Sequence, residues 1–309
     1  MRRVWIDTDL GFDDLAAVMM ARAHLDVAGL SLVAGNAPLD AVADNVARAA
    51  SFLGWTMPIH RGRAKPLIGS LSTAASVLGE TGLPTVGRAL PAAEHSRVAD
   101  GDAIAALARF VEEETEPPAL LALGPLTNVA VLLLARPDLA GRVGEIVWMG
   151  GSAGAGNHTA AAEFNAAVDP EAAQVVLESG VPLRMVGLDL CRQVRVGTGD
   201  VAAVRSAGGE RARTLADLFE AYLRIAGPNP AATMALYDPV AAAALIDPAA
   251  VRFAPAHVAV ERFGALARGM TVVEFRVPGR ALANAAVAVS ADPERIRALL
   301  VSALREEGV

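Results

Sequence analysis

The stretch VWIDTDLGFDDLAAVMM, residues 4–20, decides the fold of this chain. It joins an apolar run to an apolar-periodic run that we expect to form a helix beginning at Leu15, and a strand followed directly by a helix is typical of α/β proteins. Between the two runs stand four aspartates: Asp7, Asp9, Asp13 and Asp14. One of them can cap the helix, because its side-chain oxygen can accept a hydrogen bond from an unpaired backbone N–H. The others would repel one another, so we interpret the cluster as a cation site.

The composition of the 309-residue chain excludes several classes of protein. The chain is 53% hydrophobic but only 4% aromatic, and its formal charge is −7 without any basic cluster, which argues against a nucleic-acid partner. Apolar stretches such as residues 129–135 are interrupted well short of a membrane span, so we expect no membrane partner. The N-terminal segment lacks the apolar core of a signal peptide, and Cys191 is the single cysteine. We therefore expect one domain over residues 1–309, located in the cytoplasm.

Hydrophobic patterning predicts an α/β fold with an open, mainly parallel, Rossmann-like sheet flanked by helices. Short β-rich runs alternate with longer helical patterns up to about residue 190, as in successive βαβ units. After residue 195 the pattern changes to a helical elaboration in the C-terminal third, followed by strand-like runs between residues 257 and 290 and a last helix. The Gly- and Pro-rich segments 66–100 and 226–239 are expected to be loops that could serve as lids.

Polar residues gather where the predicted strands end. Ligands of open parallel sheets bind beyond the carboxyl ends of the strands, where the loops of several units converge. Besides the four aspartates, the candidates at this edge are Asn36, Leu123, Met149, Asn157, Glu163, Asn165 and Asp238. Hard divalent cations such as Ca²⁺ select oxygen ligands, which Asp9, Asp14 and Asp238 could supply. The five scattered histidines and one cysteine do not have the spacing of a zinc site.

The order of these motifs resembles that of a known family. The chain carries, in order, DTDLGFDD, GN, GPLTN, MGG, AEFN, VDPEAA, MVGLDL and YDP. This series, which covers most of the chain, is similar to that of the inosine-uridine-preferring nucleoside hydrolases. The resemblance implies an enzyme that hydrolyses the N-glycosidic bond of ribonucleosides to ribose and a free base. It also implies a tightly held calcium ion, an α/β fold and assembly into homodimers or homotetramers.

The same resemblance implies roles for individual residues. It implies four calcium ligands: Asp9, Asp14, Asp238 and the backbone carbonyl of Leu123. Asp9 would also take a proton from a calcium-bound water. Six residues match positions that bind the ribose: Asp13, Asn36, Met149, Asn157, Glu163 and Asn165. Asp7 matches a carboxylate that supports the cluster from behind. Carboxylates around the sugar suit this reaction, because cleavage of a ribosyl bond develops positive charge on the ring.

The chain departs from the family pattern on the side that would face the base. Many members carry a histidine before the last metal aspartate, where this chain has Tyr237, and another in a segment where this chain has Leu78. The loop before Tyr237 is poor in aromatic residues, so we expect weak stacking on the base there. General acid help to a departing group contributes typically about 10²- to 10⁴-fold, so its loss would not abolish catalysis. Tyr237 is our first candidate for the acid, and His158 is the second.

Simpler interpretations are open for several of these residues. The acidic cluster could be a solvated turn with one cap, and Asp238 could be an ordinary N-cap before Pro239. Asn128 is interpreted as a structural residue that caps the helix after Pro125. If their segment is extended, Glu163 and Asn165 lie on one side of it, which favours a shared ligand.

Two other functions fit parts of the pattern. Phosphatases of the haloacid dehalogenase type begin with a strand that ends in DxD, which Asp7 and Asp9 would match. That interpretation leaves Asp13 and Asp14 unused. The other alternative is a protein that binds calcium and ribose without turnover, because both expected histidines are missing.

Overall fold

A computed structural model describes residues 2–93, 97–227 and 233–308. The first strand lies inside its main sheet, with other strands on both sides. The described strands are β1 (Arg3–Thr8), β2 (Asp26–Leu32), β3 (Ile59–Arg61), β4 (Val98–Asp102), β5 (Ala119–Ala122), β6 (Glu145–Met149), β7 (Leu183–Val186), β8 (Arg195–Val196), β9 (Met234–Ala235), β10 (Val251–Val260), β11 (Thr271–Glu274) and β12 (Ala285–Ala291). The described helices are α1 (Phe12–His24), α2 (Leu39–Leu53), α3 (Ala75–Leu78), α4 (Ala103–Glu113), α5 (Thr127–Ala135), α6 (Phe164–Val168), α7 (Pro170–Glu178), α8 (Leu188–Cys191), α9 (Thr198–Arg205), α10 (Gly209–Arg224), α11 (Asp238–Ile246) and α12 (Pro293–Glu307). A 3₁₀ helix covers Pro137–Arg142.

One large sheet has the strand order β11-β10-β12-β7-β6-β5-β1-β2-β3-β4. Neighbours from β12 to β4 are parallel, whereas β10 is antiparallel to both β11 and β12. The predicted α/β fold with an open, mainly parallel sheet is therefore confirmed. Strands β8 and β9 pair separately. None of the described helices is both long and apolar enough to cross a membrane.

Helices cover both faces of the sheet because its central strands are buried on both sides. In β1, Val4 and Ile6 pack into one apolar cluster, whereas Trp5 packs into the other. Helices α1, α11 and α12 contribute to the first cluster, and α4, α5 and α7 contribute to the second. Side chains of adjacent strand residues point to opposite faces, so β1 anchors both layers at once. Its carboxyl end, with the aspartates, therefore lies at the centre of the sheet edge.

The first helix begins earlier than the sequence pattern predicts. Helix α1 begins at Phe12 rather than at Leu15. Phe12 is buried, so the apolar face of the helix starts one turn before the run that we used to place it. Asp13 and Asp14 therefore lie in the first helical turn, where negative charge is favoured by the helix dipole.

Strand β4 begins inside the segment that we expected to be a loop. Its sequence, VADGD, has two acids and a glycine and only one β-branched residue, so local propensity does not indicate a strand. It forms because it pairs with β3 at the edge of the large sheet. Asp102 ends the strand and caps α4, accepting a hydrogen bond from the Ile104 N–H at 2.9 Å.

The C-terminal third contains the expected helices and also completes the sheet. Helices α9 and α10 lie between β8 and β9, and α11 follows. Strand β12 then extends the parallel part of the sheet beyond β7, and β10 pairs antiparallel with β12. The antiparallel strand β11 forms the edge on that side.

Candidate active site

A pocket of about 290 Å³ opens beyond the carboxyl ends of β1, β5 and β6. Ten residues that the sequence analysis selects line this pocket: Asp9, Asp13, Asn36, Leu123, Met149, Asn157, Glu163, Asn165, Tyr237 and Asp238. Asp7 and Asp14 are buried beside it and do not line it. The fold thus collects residues from the whole length of the chain at one edge of the sheet, as expected for an open α/β sheet.

Three carboxylates beside the pocket are close enough to share one cation. Asp13, Asp14 and Asp238 each place a carboxylate oxygen within 4.8 Å of the other two. Helix α1 supplies the first two, and the first turn of α11, which packs against α1, supplies the third. The structure therefore brings Asp14 and Asp238 together. It adds Asp13, which the family resemblance assigns to the ribose, and it leaves Asp9 outside this group of three.

Asp14 is held in place by hydrogen-bond donors from β1, from the start of α1 and from the segment after β2. The Thr8 hydroxyl donates to Asp14 Oδ1 at 2.6 Å, and the Gly11 N–H donates to Asp14 Oδ2 at 2.8 Å. The Asn36 amide nitrogen also lies 3.4 Å from Asp14 Oδ2. Asp14 is fully buried, so these donors fix the direction of a carboxylate that cannot turn to bulk water.

Burial and mutual repulsion raise the pKa of each carboxyl group in the cluster. Burial, and then the charge of Asp14, raise the pKa of Asp13 to about 7. The same two causes raise the pKa of Asp9 and of Asp238 well above the usual range, and burial raises the pKa of Asp14. No lysine or arginine of the described chain is among the groups that lower these values. Only protons or a bound cation can therefore relieve the repulsion.

Asp9 lies against the backbone that follows β2. Its Oδ2 accepts a hydrogen bond from the Asn36 N–H at 2.6 Å. A Cβ atom at Gly35 would lie 2.1 Å from the same oxygen, so only glycine lets the two segments come this close. The Gly-Asn pair after β2 therefore has a direct physical role: it seats the Asp9 carboxylate at the pocket wall.

Asp7 supports the cluster from inside the protein. The Asn128 amide donates to Asp7 Oδ1 at 2.7 Å, and the Ser31 hydroxyl also donates to this oxygen. Asp7 Oδ2 is buried without a hydrogen-bond partner among the described residues, and burial raises the Asp7 pKa to about 7. Asn128 is thus structural, as predicted, but it is not a helix cap: its oxygen accepts from the Arg63 N–H at 2.8 Å.

Glu163 and Asn165 reach the pocket from a helix start rather than from an extended segment. Glu163 precedes α6 and accepts hydrogen bonds from three backbone N–H groups, of Gly151 at 2.8 Å, Asn165 at 2.8 Å and Ala166 at 3.0 Å. The segment is therefore not extended, because it turns into a helix at the residue between them, and the two residues line the same pocket from this helix start. Burial raises the Glu163 pKa to about 7.

Asn165 connects two strands at the pocket. Its amide nitrogen donates to the backbone carbonyls of Leu123 at 2.7 Å and of Met149 at 3.0 Å. It thus joins the ends of β5 and β6, so both carbonyls face the same small region. The exposed Asn157 turns its side-chain oxygen toward the Phe164 N–H, which donates to it at 3.0 Å.

The other side of the pocket is largely apolar. The wall contains Val77, Leu78, Phe164, Ile225 and Met234, together with Thr73, Ala74, Ser76, His158 and Tyr222. Sequence reasoning missed most of this wall, because loop residues without charge or periodicity carry no local signal. Leu78, at the position of an expected histidine, does face the pocket. The poorly aromatic loop before Tyr237 includes residues 228–232, which lie outside the described residues.

Tyr237 and Tyr222 differ in how their hydroxyl groups are engaged. The buried Tyr222 hydroxyl donates to the Ala235 carbonyl at 2.7 Å. The Tyr237 hydroxyl has no hydrogen-bond partner within the described ranges. Burial raises the Tyr237 pKa to about 12, so this hydroxyl keeps its proton at neutral pH. His158 makes an edge contact with Phe164, with the ring centroids 5.4 Å apart.

Comparisons with known proteins identify the family of this chain. A sequence model of the family described as "Inosine-uridine preferring nucleoside hydrolase" matches residues 4–298. The pyrimidine-specific ribonucleoside hydrolase RihA of Shewanella sp. (strain ANA-3) is 36% identical over 310 residues, which cover 98% of this chain and 96% of that protein. RihA of Escherichia coli O1:K1 / APEC is 35% identical, with 98% of both chains covered.

Solved structures show the same fold. A purine-preferring ribonucleoside hydrolase from Gardnerella vaginalis superposes with a TM-score of 0.91 at 24% identity, covering 99% of both chains. A plant nucleoside hydrolase, PpNRh1, superposes with a TM-score of 0.89 at 29% identity, covering 98% of both chains. The family model matches nearly the whole sequence, and relatives above 30% identity match nearly all of it. This chain therefore belongs to the inosine-uridine preferring nucleoside hydrolase family.

Proposed function

We propose that this ribonucleoside hydrolase cleaves the N-glycosidic bond with one calcium ion and with Asp9 as the general base. The family supports hydrolysis of ribonucleosides. The calcium ion and the individual roles rest on one observation, the group of buried carboxylates that shares a pocket with amide and carbonyl groups. A haloacid dehalogenase-like phosphatase is not supported, because Asp13 and Asp14 belong to the same site as Asp9 and the whole chain matches another family.

The donor set fits a hard divalent cation. Asp14 and Asp238 are buried, oxygen-bearing and close together, and no described arginine or lysine lowers their pKa. We assign Asp9 and the Leu123 carbonyl as further ligands. The Leu123 oxygen accepts one hydrogen bond from Asn165 and keeps a second lone pair for a cation. When bound, calcium would supply positive charge that polarises a water molecule and orients ribose hydroxyls.

Asp9 is the proposed proton acceptor. Its Oδ2 is engaged by the Asn36 N–H, which leaves Oδ1 to take the proton of the attacking water. In a cluster without a cation, burial and the charge of Asp14 raise the Asp9 pKa and so favour its protonated form, which cannot act as a base. A positive charge beside the four aspartates lowers that pKa and keeps Asp9 ionised. A bound cation would therefore both orient ribose hydroxyls and keep Asp9 able to accept a proton.

The remaining polar groups are proposed to bind the ribose. Glu163 is oriented by three backbone N–H groups, and Asn165 is fixed by two carbonyls, so neither loses much freedom when a sugar binds. The other proposed contacts are Asp13, Asn36, Met149 and Asn157. Carboxylate and amide oxygens around the ring stabilise the positive charge that develops on it as the bond breaks.

The departing base is proposed to receive a proton from Tyr237. Tyr237 lines the pocket, its hydroxyl keeps its proton at neutral pH, and no described residue is hydrogen-bonded to that hydroxyl, unlike the hydroxyl of Tyr222. His158 is the second candidate. We also propose a preference for pyrimidine ribonucleosides, which are the substrates named for the two RihA relatives. Assembly into homodimers or homotetramers and a cytoplasmic location stay predictions.

The test is turnover of a panel of ribonucleosides before and after removal of metal. Uridine, cytidine, inosine, adenosine and nicotinamide riboside would be supplied to chelator-treated enzyme, with Ca²⁺ or Mg²⁺ added back. We expect release of ribose from the pyrimidine ribonucleosides, loss of turnover with the chelator and recovery with Ca²⁺. Full activity in excess chelator would contradict the metal role. Tight ribose binding without any turnover would support the binding-protein alternative.

A further inference from the structure

The loop that follows β6 contacts Glu163 through Gly151, which precedes Ser152. The Gly151 N–H donates to Glu163 Oε2 at 2.8 Å, so it is one of three backbone N–H groups that orient a carboxylate that we assign to ribose binding, and the one that comes from outside the α6 segment. Gly151 has a φ of +68°, which glycine adopts without strain and other residues rarely do. The direction of the N–H therefore depends on how the next residue of the loop is held.

Thr271, at the start of the edge strand β11, holds that next residue on both sides. Its hydroxyl accepts a hydrogen bond from the Ser152 N–H at 2.8 Å and donates one to the Ser152 carbonyl at 2.7 Å. Thr271 and Ser152 are 3% and 2% exposed, so water cannot replace either bond. A Cβ atom on Gly151 would lie 2.9 Å from the Thr271 side chain, which shows how directly the two residues pack.

We infer that Thr271 is a positioning residue for ribose binding, acting through Ser152 and Gly151 on the Glu163 carboxylate. This inference rests on the proposed role of Glu163. The opposite side of the loop is fixed independently, because the Leu188 N–H donates to the Gly151 carbonyl at 3.0 Å and the Ala153 N–H donates to Asp189 Oδ1 at 2.8 Å. Thr271 is the described side chain that satisfies both backbone groups of Ser152 at once.

The edge strand is rigidly attached to this region by further contacts. Thr271 pairs with Val260 in the antiparallel ladder of β10 and β11. Arg268, in the turn between these strands, makes a two-pronged ion pair with Glu171 of α7, with N–O distances of 2.7 Å and 2.9 Å. A Cβ atom at Gly269 would lie 2.6 Å from Ala167 of α6. The hairpin is thus packed against the helices that follow Glu163, so Thr271 is a fixed point.

The test compares Thr271→Val with Thr271→Ser. Valine keeps the shape of the side chain but leaves the Ser152 N–H and carbonyl buried and unpaired, whereas serine keeps the hydroxyl. Small misplacements of a positioned group can reduce rates by about 10²-fold. For Thr271→Val we expect KM and the inhibition constant for free ribose to rise about 10-fold each. For Thr271→Ser we expect both within about 3-fold of the unmodified enzyme.

KM and the inhibition constant for ribose distinguish a positioning role of Thr271 from a loss of folded protein. A purely structural role would lower the concentration of active enzyme and reduce the maximal rate, leaving KM and the ribose inhibition constant unchanged, and that result would overturn the inference. It would also be overturned if Thr271→Ser, which keeps the hydroxyl, lost as much as Thr271→Val, because the hydroxyl bonds to Ser152 would then not account for the effect. Failure of the unmodified enzyme to hydrolyse any ribonucleoside or bind ribose would instead reject the proposed function.

Discussion

Buried carboxylates in this pocket differ in the neighbours that hold them. Asp7 receives two hydrogen bonds on one oxygen and faces the interior, so it is suited to support. Glu163 receives three backbone N–H groups, which hold its direction. Asp9 receives a single short hydrogen bond from the Asn36 N–H and lines the pocket, so one of its oxygens can take a proton. The three roles that we propose for these carboxylates follow the differences between their hydrogen-bond donors.

Replacement of Asp9 by asparagine tests the base directly. Asp9→Asn keeps the size of the side chain and removes the basic oxygen, so we expect kcat to fall at least about 10³-fold while the fold is retained. Steady-state kinetics with uridine, together with circular dichroism, would measure both effects. Asp40→Asn, at an exposed residue in the first turn of α2, is the control. Near-normal turnover by Asp9→Asn would remove Asp9 from the base role.

Replacement of Tyr237 by phenylalanine tests the proposed acid. Tyr237→Phe should slow hydrolysis of uridine by about 10²-fold, because a poor leaving group needs a proton. A nitrophenyl riboside, whose leaving group departs as a stable anion, should lose less than about 3-fold. The ratio of the two kcat/KM values is the measurement. Equal losses on both substrates would argue for a packing role of the ring.

A single buried aspartate connects three elements beside the pocket. Asp169 caps α7: its Oδ1 accepts a hydrogen bond from the Ala172 N–H at 3.0 Å. Its other oxygen accepts from the Leu67 N–H at 2.8 Å and from the Thr127 hydroxyl at 2.7 Å. One residue thus caps a helix, fixes α5 and ties down the segment that leads to the pocket residues of α3.

Removal of this carboxylate should destabilise the protein more than removal of an ordinary cap. Asp169→Ala leaves buried donors unpaired, so we expect the free energy of unfolding to fall by about 3 kcal/mol. Asp292→Ala removes an exposed cap of α12, which accepts from the Arg295 N–H and lies 3.8 Å from the Arg295 guanidinium, and should lower the free energy of unfolding by about 1 kcal/mol. Urea unfolding followed by fluorescence measures both. Equal losses would show that the long-range bonds of Asp169 contribute little.

At the scale of the whole molecule, the fold buries several carboxyl groups close together at the carboxyl edge of the sheet. Asp7, Asp13 and Glu163 have pKa values raised to about 7, from ordinary values of 3.8 for aspartate and 4.5 for glutamate. Their protonated forms are favoured by folding, so they stabilise the fold fully below about pH 4. That contribution is lost as the pH rises through about 7. A carboxyl group with a lowered pKa, such as Glu274 at about 2, contributes stability that is lost only as the pH falls from about 4.5 toward 2, so it does not affect this interval.

Metal-free protein should therefore become less stable between pH 5 and pH 8. We expect the Tm of chelator-treated protein to drop by at least about 5 °C over this interval, measured by scanning calorimetry. Saturating Ca²⁺ at pH 8 should raise the Tm by a similar amount, because the cation binds only the folded carboxylate cluster. Glu163→Gln should reduce the pH dependence, since one titrating group is removed. A chelated protein that is more stable at pH 8 than at pH 5 would contradict this account.

The sequence predicted most elements because their signals are local. The alternation of strands and helices up to about residue 190, the helices after residue 195 and the last helix have such signals and appear as expected. The misses have physical causes. Strand β4 exists only through pairing with β3, and the start of α1 depends on a tertiary contact of Phe12, whose ring stacks on Phe219 at 5.0 Å. Local patterns do not carry such information.

By itself the sequence determined the fold class and the candidate functional residues, because periodicity, caps and acid clusters are encoded in neighbouring positions. Only the tertiary structure decided which of these residues meet: Asp13 rather than Asp9 with Asp14 and Asp238, and Ser31 and Asn128 on Asp7. It also brought Thr271 to Ser152, 119 positions away in the chain. Such contacts depend on the order of the strands in the sheet, and no segment of the sequence specifies that order by its local pattern.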